Sequence, residues 1–187
     1  VVGTLRKGNN NRPAVALRAD MDGLDILEET GLPYQSENPG KMHACGHDGH
    51  MTMLLGAACV LSESDAFDGT VHFVFQPAEE NEGGGGLMVR EGLFKRFPVK
   101  AVFGMHNFPI LPQGHFAIVK GPMMAAFDIF DIAIKGRGSH AAMPQHSRDP
   151  IVAAANLINQ LQSIVSRNLS PIEGSVATER TWSTRSS

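Results

Sequence analysis

Apolar residues in the first part of the chain form short uninterrupted runs, separated by one long apolar segment and several turn-rich stretches. Short continuous runs are typical of strands buried on both faces, as in a parallel sheet. The predicted strands are Ala14–Asp20, about Thr70–Gln76 and roughly Lys100–Met105. Asp48–Ser64 predicts a buried helix with Asp48 as its N-cap, and Leu87–Phe94 predicts a short helix.

The order strand, helix, strand, helix, strand predicts an α/β fold with a mixed, largely parallel sheet flanked by helices. Polar side chains follow each predicted strand: Asp20 and Asp22 the first, Glu79 and Glu80 the second, and His106 the third. Ligands of open α/β sheets bind beside the carboxyl ends of the strands. We therefore expect these side chains to meet there, together with Cys45 and His47 from the start of the long helix.

The pattern changes near residue 122. Phe130, Ile132 and Ile134 alternate along the chain and predict a new strand. The segment Asp149–Asn168 carries a stripe of apolar residues at helical spacing and predicts the clearest helix of the sequence. The predicted domains are residues 1–122 and residues 123–187.

The composition is that of an ordinary globular protein, with 187 residues, 42% hydrophobic and 19% charged, and a net charge of −3. This mild acidity indicates neither nucleic acid nor an anionic membrane as a partner. No apolar run approaches the roughly 18 residues that span a bilayer, and we expect a cytoplasmic protein. The chain begins at Val1 inside a strand-like segment, so we also expect that an N-terminal segment precedes it.

The stretch HACGHDGH, His43–His50, raises the question of what Cys45 does. A disulfide with Cys59 needs Cα atoms within about 7 Å. The predicted helix separates the two cysteines by roughly 15 Å, and we expect Cys59 in the core. The polar neighbours of Cys45 and the helix N-terminus that follows favour a thiolate. A thiolate binds a metal ion or, beside a histidine, acts as a nucleophile, and spacing alone leaves both open.

The adjacent Glu79 and Glu80 of the motif PAEE have two explanations. Neighbouring glutamates in a loop are most often solvated. After a buried strand, one carboxylate can instead bind a metal ion while the other acts as a general base. Cysteine, histidine and glutamate ligands together indicate zinc or a similar divalent ion, or two such ions. The run Gly83–Gly86 does not indicate a phosphate loop, because neither Lys-Ser nor Lys-Thr follows it, and we expect His72 and His115 to be structural.

Several motifs in series resemble the M20 metallopeptidase superfamily. The resemblance is to its amidohydrolase branch of hippurate hydrolases, N-acyl-amino-acid amidohydrolases and auxin-conjugate hydrolases. In chain order the motifs are LRADMDGLDILEETGLPYQS, MHACGHDGH, QPAEE, GMHNFP and GRGSHAAMP followed by DP. The resemblance implies a zinc-peptidase-like catalytic domain with an inserted α+β lid domain, and a homodimer formed through that lid.

The resemblance also implies a site with two divalent metal ions, Zn²⁺ or Mn²⁺. The metal ligands would be Cys45, His47, Glu80 and His106, with Cys45 placed to bridge the ions. Glu79 matches the general base and Asp22 a supporting group near the site. His140 matches a histidine of the lid that steadies the substrate carbonyl oxygen, commonly across the dimer.

The reaction that the resemblance implies is hydrolysis of the amide bond of an N-acyl amino acid of the hippurate type. A metal-activated water would attack the amide, with Glu79 as general base. The family supplies a last histidine ligand near the C-terminus, whereas no histidine follows His146 here. We therefore expect a truncated chain that is inactive by itself. The alternative is a non-catalytic fragment that binds a metal ion or a partner.

Overall fold

The structure is a computed structural model, and it describes residues 1–9, 11–80, 82–121, 123–124 and 130–168 of the chain. The chain separates into two compact units, Val1–His115 and a second unit that begins at Phe116. Each unit is described by itself. The catalytic and lid roles assigned above to residues 1–122 and 123–187 stay predictions.

The first unit is built on a sheet of four strands in the order β1-β3-β2-β4. The strands are β1 Val2–Lys7, β2 Val15–Asp20, β3 Gly69–Gln76 and β4 Ala101–Gly104. β2, β3 and β4 run parallel to one another, and β1 pairs antiparallel with β3. The sheet is therefore mixed and largely parallel, and the three strands predicted for this part of the chain are confirmed. Asp20 pairs with Gln76, so the carboxyl ends of β2 and β3 lie level.

Helix α1, His47–Glu63, covers one face of this sheet. Its Leu54 joins Ala19, Val71 and Phe73 in a buried apolar cluster. The predicted helix is thus confirmed to within a residue at each end, but the predicted N-cap is wrong. The N-cap is Gly46, in the left-handed conformation with φ 82°, and Asp48 lies in the first turn instead.

Two short helices, α2 Gly84–Arg90 and α3 Leu93–Arg96, stand where the sequence predicts one at Leu87–Phe94. The break falls at Gly92, whose φ of 91° lies in the left-handed region that a continuous α-helix cannot contain. The glycine therefore ends the first helix and begins the second.

In the second unit, helix α4, Pro150–Ser163, confirms most of the predicted helix, and a π-helical turn, Ile164–Asn168, completes it. Asp149 is the N-cap and accepts a hydrogen bond of 2.8 Å from the main-chain N–H of Ile151. Residues 130–136 form no strand, contrary to the alternating pattern, and residues 125–129 lie outside the described residues. No helix in the described ranges of either unit combines the length and apolarity that crossing a membrane requires.

Candidate metal centre

Side chains that can bind a metal ion converge at the carboxyl ends of the parallel strands. Three overlapping groups have potential ligand atoms within 4.8 Å of one another. They are Cys45, His47 and His106; His47, Glu79 and Glu80; and Asp20, His47 and His50. The convergence expected from the strand ends is therefore observed, and His47 belongs to each group.

His47 is the centre of the cluster and is completely buried, with 0% of its surface exposed. Its Nε2 atom lies 3.6 Å from Oε1 of Glu80 and 4.0 Å from Oε2 of Glu79. On the other side of the ring, Nδ1 lies 3.3 Å from Oδ1 of Asp22. Neither ring nitrogen has a hydrogen-bond partner within the described part of the chain.

Four buried side-chain atoms in the described residues lack a hydrogen-bond partner, and all belong to this cluster: Nδ1 and Nε2 of His47, Oδ1 of Asp22 and Oε1 of Glu80. A buried polar atom without a partner costs roughly 1–3 kcal/mol, so native proteins contain few of them. A divalent cation bound here would give Nε2 of His47 and Oε1 of Glu80 a partner at once. Histidine, cysteine and carboxylate donors are the set that suits zinc and similar ions, so these residues fit a metal centre.

The Cys45 thiol does not behave as the helix N-terminus suggests. Burial, a hydrogen bond with Glu80 and the negative charges of Glu80, Glu79 and Asp20 raise the pKa of Cys45 to about 11. The thiol of the metal-free chain is therefore protonated at neutral pH. A bound cation reverses this balance, because a coordinating thiol is deprotonated.

Cys45 and Cys59 are both free cysteines, as the predicted helix geometry requires. The expectation that Cys59 lies in the core is wrong, because it is exposed on α1. By contrast, Sγ of Cys45 lies 3.5 Å from Nε2 of His106. Cys45 lies just before α1 and His106 just after β4, and His47 belongs to the same group of potential ligand atoms.

The glutamate-bearing turn after β3 is held in an unusual conformation. Ala78 has a φ of 53°, a positive value that residues other than glycine rarely adopt. The N–H of Gly84 donates to the carbonyl oxygen of Ala78 at 2.8 Å. A Cβ atom at Gly84 would lie 1.9 Å from the carbonyl oxygen of Pro77. The glycine run therefore lets α2 pack directly against the turn that carries Glu79 and Glu80, a role that the sequence analysis missed.

Hydrogen bonds hold the carboxylates around His47 in place. Burial opposes ionisation of Asp20, but a hydrogen bond from His50 and the charge of Arg18 keep its pKa below the ordinary value. Burial likewise opposes ionisation of Asp22, and the main-chain N–H groups of Glu80 and Glu79 keep its pKa low. Both groups are therefore charged at neutral pH.

His50 and Asn107 are site residues that the sequence analysis did not assign. His50 is 2% exposed, and its Nδ1 lies 2.6 Å from Oδ1 of Asp20. Asn107 donates its main-chain N–H to Nε2 of His50 at 3.0 Å. The signal in the sequence is the spacing of three between His47 and His50, which places both rings on one face of α1.

Three further histidines with predicted roles, His72, His140 and His115, are not among the grouped ligand atoms. His72 is buried in β3 and shares a hydrogen bond of 2.9 Å with Oγ1 of Thr4, as expected of a structural histidine. His140 lies in the second unit, and its Nδ1 accepts a hydrogen bond of 3.1 Å from the main-chain N–H of Ala142. His115 is exposed near the end of the first unit.

Known proteins are similar in sequence to most of this chain. Hippurate hydrolase of Campylobacter jejuni is 49% identical over 176 residues, which cover 94% of this chain and 45% of that protein. N-acetylcysteine deacetylase of Bacillus subtilis is 47% identical over 171 residues, covering 91% of this chain and 44% of that protein. The chain therefore spans less than half the length of these curated relatives.

A solved structure with the same fold is that of the Bacillus subtilis YXEP protein, described as a dinuclear metal binding peptidase from the M20 family. It superimposes with a TM-score of 0.63 and 36% identity, over 87% of this chain and 42% of that one. The sequence pattern of Peptidase family M20/M25/M40 matches residues 16–181. With the family pattern matched over most of its length, this chain belongs to peptidase family M20/M25/M40.

Proposed function

We propose that the protein containing this chain hydrolyses the amide bond of N-acyl amino acids at a centre of two divalent metal ions. The observation that carries the proposal is the group of buried, unpaired donor atoms around His47. Relatives named for hydrolysis of hippurate and deacetylation of N-acetylcysteine support an N-acyl amino acid as the substrate.

The proposed metal ligands are Cys45, His47, Glu80 and His106, with Zn²⁺ or Mn²⁺ as the ions. His47 shares one group of neighbouring potential ligand atoms with Cys45 and His106 and another with Glu80. Of these four residues, His47 and Glu80 have buried atoms without a hydrogen-bond partner. When bound, the ions supply Lewis acidity that lowers the pKa of water and polarises the substrate carbonyl. Asp22 would orient His47 by accepting a hydrogen bond from its Nδ1, which leaves Nε2 for the metal.

Glu79 is the proposed general base. Its side chain is 40% exposed, whereas that of Glu80 is 22% exposed and has a buried oxygen. A base needs access to water and to the leaving group, so the more exposed carboxylate suits this role. Glu79 would take a proton from the attacking water and deliver it to the nitrogen of the leaving amine.

His140 is the proposed donor to the substrate carbonyl oxygen. Because its Nδ1 accepts from Ala142, the neutral ring carries its proton on Nε2. That tautomer presents an N–H donor, which is what a developing oxyanion requires. Following the family resemblance, we further propose that residues 123–187 belong to a lid domain through which the protein forms a homodimer.

The test is a hydrolysis assay on the full product of the gene that encodes this chain, with hippurate and N-acetylcysteine as substrates. We expect activity that is lost on chelation and restored by Zn²⁺ or Mn²⁺. Activity that persists after complete metal removal would contradict the proposal. Stoichiometric metal binding without hydrolysis of any N-acyl amino acid would support the non-catalytic alternative instead.

A further inference from the structure

We infer that His50, acting through the main chain of Asn107, is a positioning residue that sets the tautomer and orientation of His106. The inference rests on the proposed function, because it concerns how a proposed metal ligand is held. It starts from the hydrogen bonds of a buried histidine that is not itself among the proposed ligands.

The two partners of His50 determine its tautomer. The carboxylate of Asp20, 2.6 Å from Nδ1, can only accept a hydrogen bond, so Nδ1 carries the proton. The main-chain N–H of Asn107, 3.0 Å from Nε2, can only donate, so Nε2 carries the lone pair. The His50 ring therefore accepts a hydrogen bond from Asn107 at Nε2 and donates one to Asp20 at Nδ1.

The side chain of Asn107 also reaches this histidine, with Oδ1 placed 2.6 Å from Nε2. An unprotonated nitrogen repels a carbonyl oxygen at that distance. A half-turn of the amide exchanges its oxygen and NH₂ group almost without change of shape, and it places a donor there. The side chain then reinforces the main-chain hydrogen bond.

Asn107 passes this constraint to the neighbouring ligand. Its carbonyl oxygen lies 2.7 Å from Nδ1 of His106 and can only accept, so Nδ1 of His106 carries the proton. Nε2 of His106 is left with its lone pair, and it faces Sγ of Cys45 at 3.5 Å. The carbonyl oxygen of Asn107 thus accepts a hydrogen bond from the His106 ring. The N–H of Asn107 donates to His50, which fixes the position of this main-chain segment.

This series of hydrogen bonds ends at Asp20, whose position is fixed by the sheet. Arg18 donates to Oδ2 of Asp20 at 2.7 Å and to Oε1 of Gln76 at 2.9 Å. Asp20 is 1% exposed and ends β2, so its carboxylate cannot move into solvent. The position of His106, which follows the short edge strand β4, is therefore tied to the buried central strands.

The first test is a Co²⁺ titration of the 187-residue chain, followed by thiolate-to-cobalt absorption. His50→Phe keeps a buried ring but removes both hydrogen bonds, and we expect it to weaken Co²⁺ binding roughly 10- to 100-fold, as loss of an outer-shell partner does. His72→Phe is the matched control, since it alters another buried histidine of the same unit, and its affinity should stay close to wild type. Asn107→Ala keeps the main-chain groups and should retain most of the affinity.

The second test reads the tautomers directly, by ¹⁵N NMR of the histidine rings in the metal-free chain. We expect the proton on Nδ1 in both His50 and His106 of the wild type, and a mixture of tautomers at His106 in His50→Phe. An Nε2-protonated His106 in the wild type, or equal Co²⁺ affinity in His50→Phe and wild type, overturns the inference. If the wild type shows no cobalt absorption that depends on Cys45, the proposed metal site fails, while the NMR result still decides the hydrogen-bond chain.

Discussion

At the scale of single residues, the carboxylates near the Cys45 thiol affect both its protonation and its reactivity. Burial of the sulfur, a hydrogen bond with Glu80 and the charges of Glu80, Glu79 and Asp20 together raise its pKa to about 11. A thiol in this setting is a poor nucleophile, because the thiolate is the reactive form. The same carboxylates attract a cation. The surroundings of Cys45 therefore favour a metal ligand over the cysteine nucleophile that the sequence alone left open.

Substitution of each cysteine in turn should show that Cys45, and not Cys59, affects metal binding. We expect Cys45→Ala to reduce the metal content of the purified chain, because it removes a ligand atom beside His47 and His106. Cys59→Ala is the control and should leave metal content unchanged, since Cys59 is exposed on α1. Metal analysis of the three proteins checks this, and equal metal in Cys45→Ala and wild type would remove Cys45 from the ligand set.

Substitution of the two adjacent glutamates should impair different properties, turnover for Glu79 and metal binding for Glu80. In the full gene product, Glu79→Gln should keep its metal but lose on the order of 10²- to 10⁴-fold in kcat, the usual contribution of a general base. Glu80→Gln should lose metal affinity as well. Parallel measurements of kcat and metal content decide the matter, and the reverse pattern would mean that the two roles are exchanged.

At the scale of elements, the centre depends on where helices and turns begin. α1 starts at His47 only because Gly46 turns the chain in the left-handed conformation just before it. A Cβ atom at Gly46 would lie 2.2 Å from the side-chain amide group of Asn107. The start of α1 and the loop after β4 are therefore packed against each other at a position that only glycine fits.

Two glycine substitutions in this region should have opposite effects on the free energy of unfolding. Gly46→Ala should lower it by at least about 1–2 kcal/mol, because φ of 82° is unfavourable for alanine and Asn107 must shift. Gly56→Ala, inside α1 with no atom within 4 Å of the added methyl group, should raise it by up to about 1 kcal/mol. Urea unfolding of both variants measures the difference, and a neutral Gly46→Ala would show that the turn tolerates a side chain.

At the scale of the whole molecule, the buried sheet makes stability depend on pH. His72 lies in the central strand, where burial and then the charge of Arg6 lower its pKa below the ordinary value. The unfolded chain, with an ordinary histidine pKa of about 6.5, therefore takes up the proton first as the pH falls. Stability is unaffected above that value and decreases below it, down to the lowered pKa of the folded state.

His72→Gln should remove this dependence while keeping a polar partner for Thr4. We expect the free energy of unfolding of the wild type, relative to that of His72→Gln, to stay constant above about pH 6.5 and to fall below it. Urea unfolding of the metal-free proteins across this range tests the expectation. A difference between them that does not change with pH would show that His72 does not contribute to acid sensitivity.

The sequence by itself determined β2, β3, β4 and α1 of the first unit and the identity of the polar residues near their ends. Apolar runs predict β2 and β3 because a strand buried on both faces has no polar face to show. The sequence did not determine that Gly46 is the N-cap of α1. The left-handed conformation of this glycine depends on the segments that pack against it. The expected strand at Phe130, Ile132 and Ile134 is absent from residues 130–136, where the described part of the second unit offers only the isolated bridge between Arg137 and Arg148.

Only the tertiary structure decided which polar residues form hydrogen bonds with one another and how they shift one another's pKa values. Motif spacing placed Cys45 near a helix N-terminus and predicted a thiolate. In the folded chain, burial and carboxylates from distant segments raise the pKa of the thiol, which therefore stays protonated. His50 had no assignment because its partners, Asp20 and Asn107, lie 30 and 57 residues away in sequence. Local patterns report how a segment buries its own apolar face. Hydrogen bonds, charge and burial at a site instead depend on which distant segments the folded chain brings into contact.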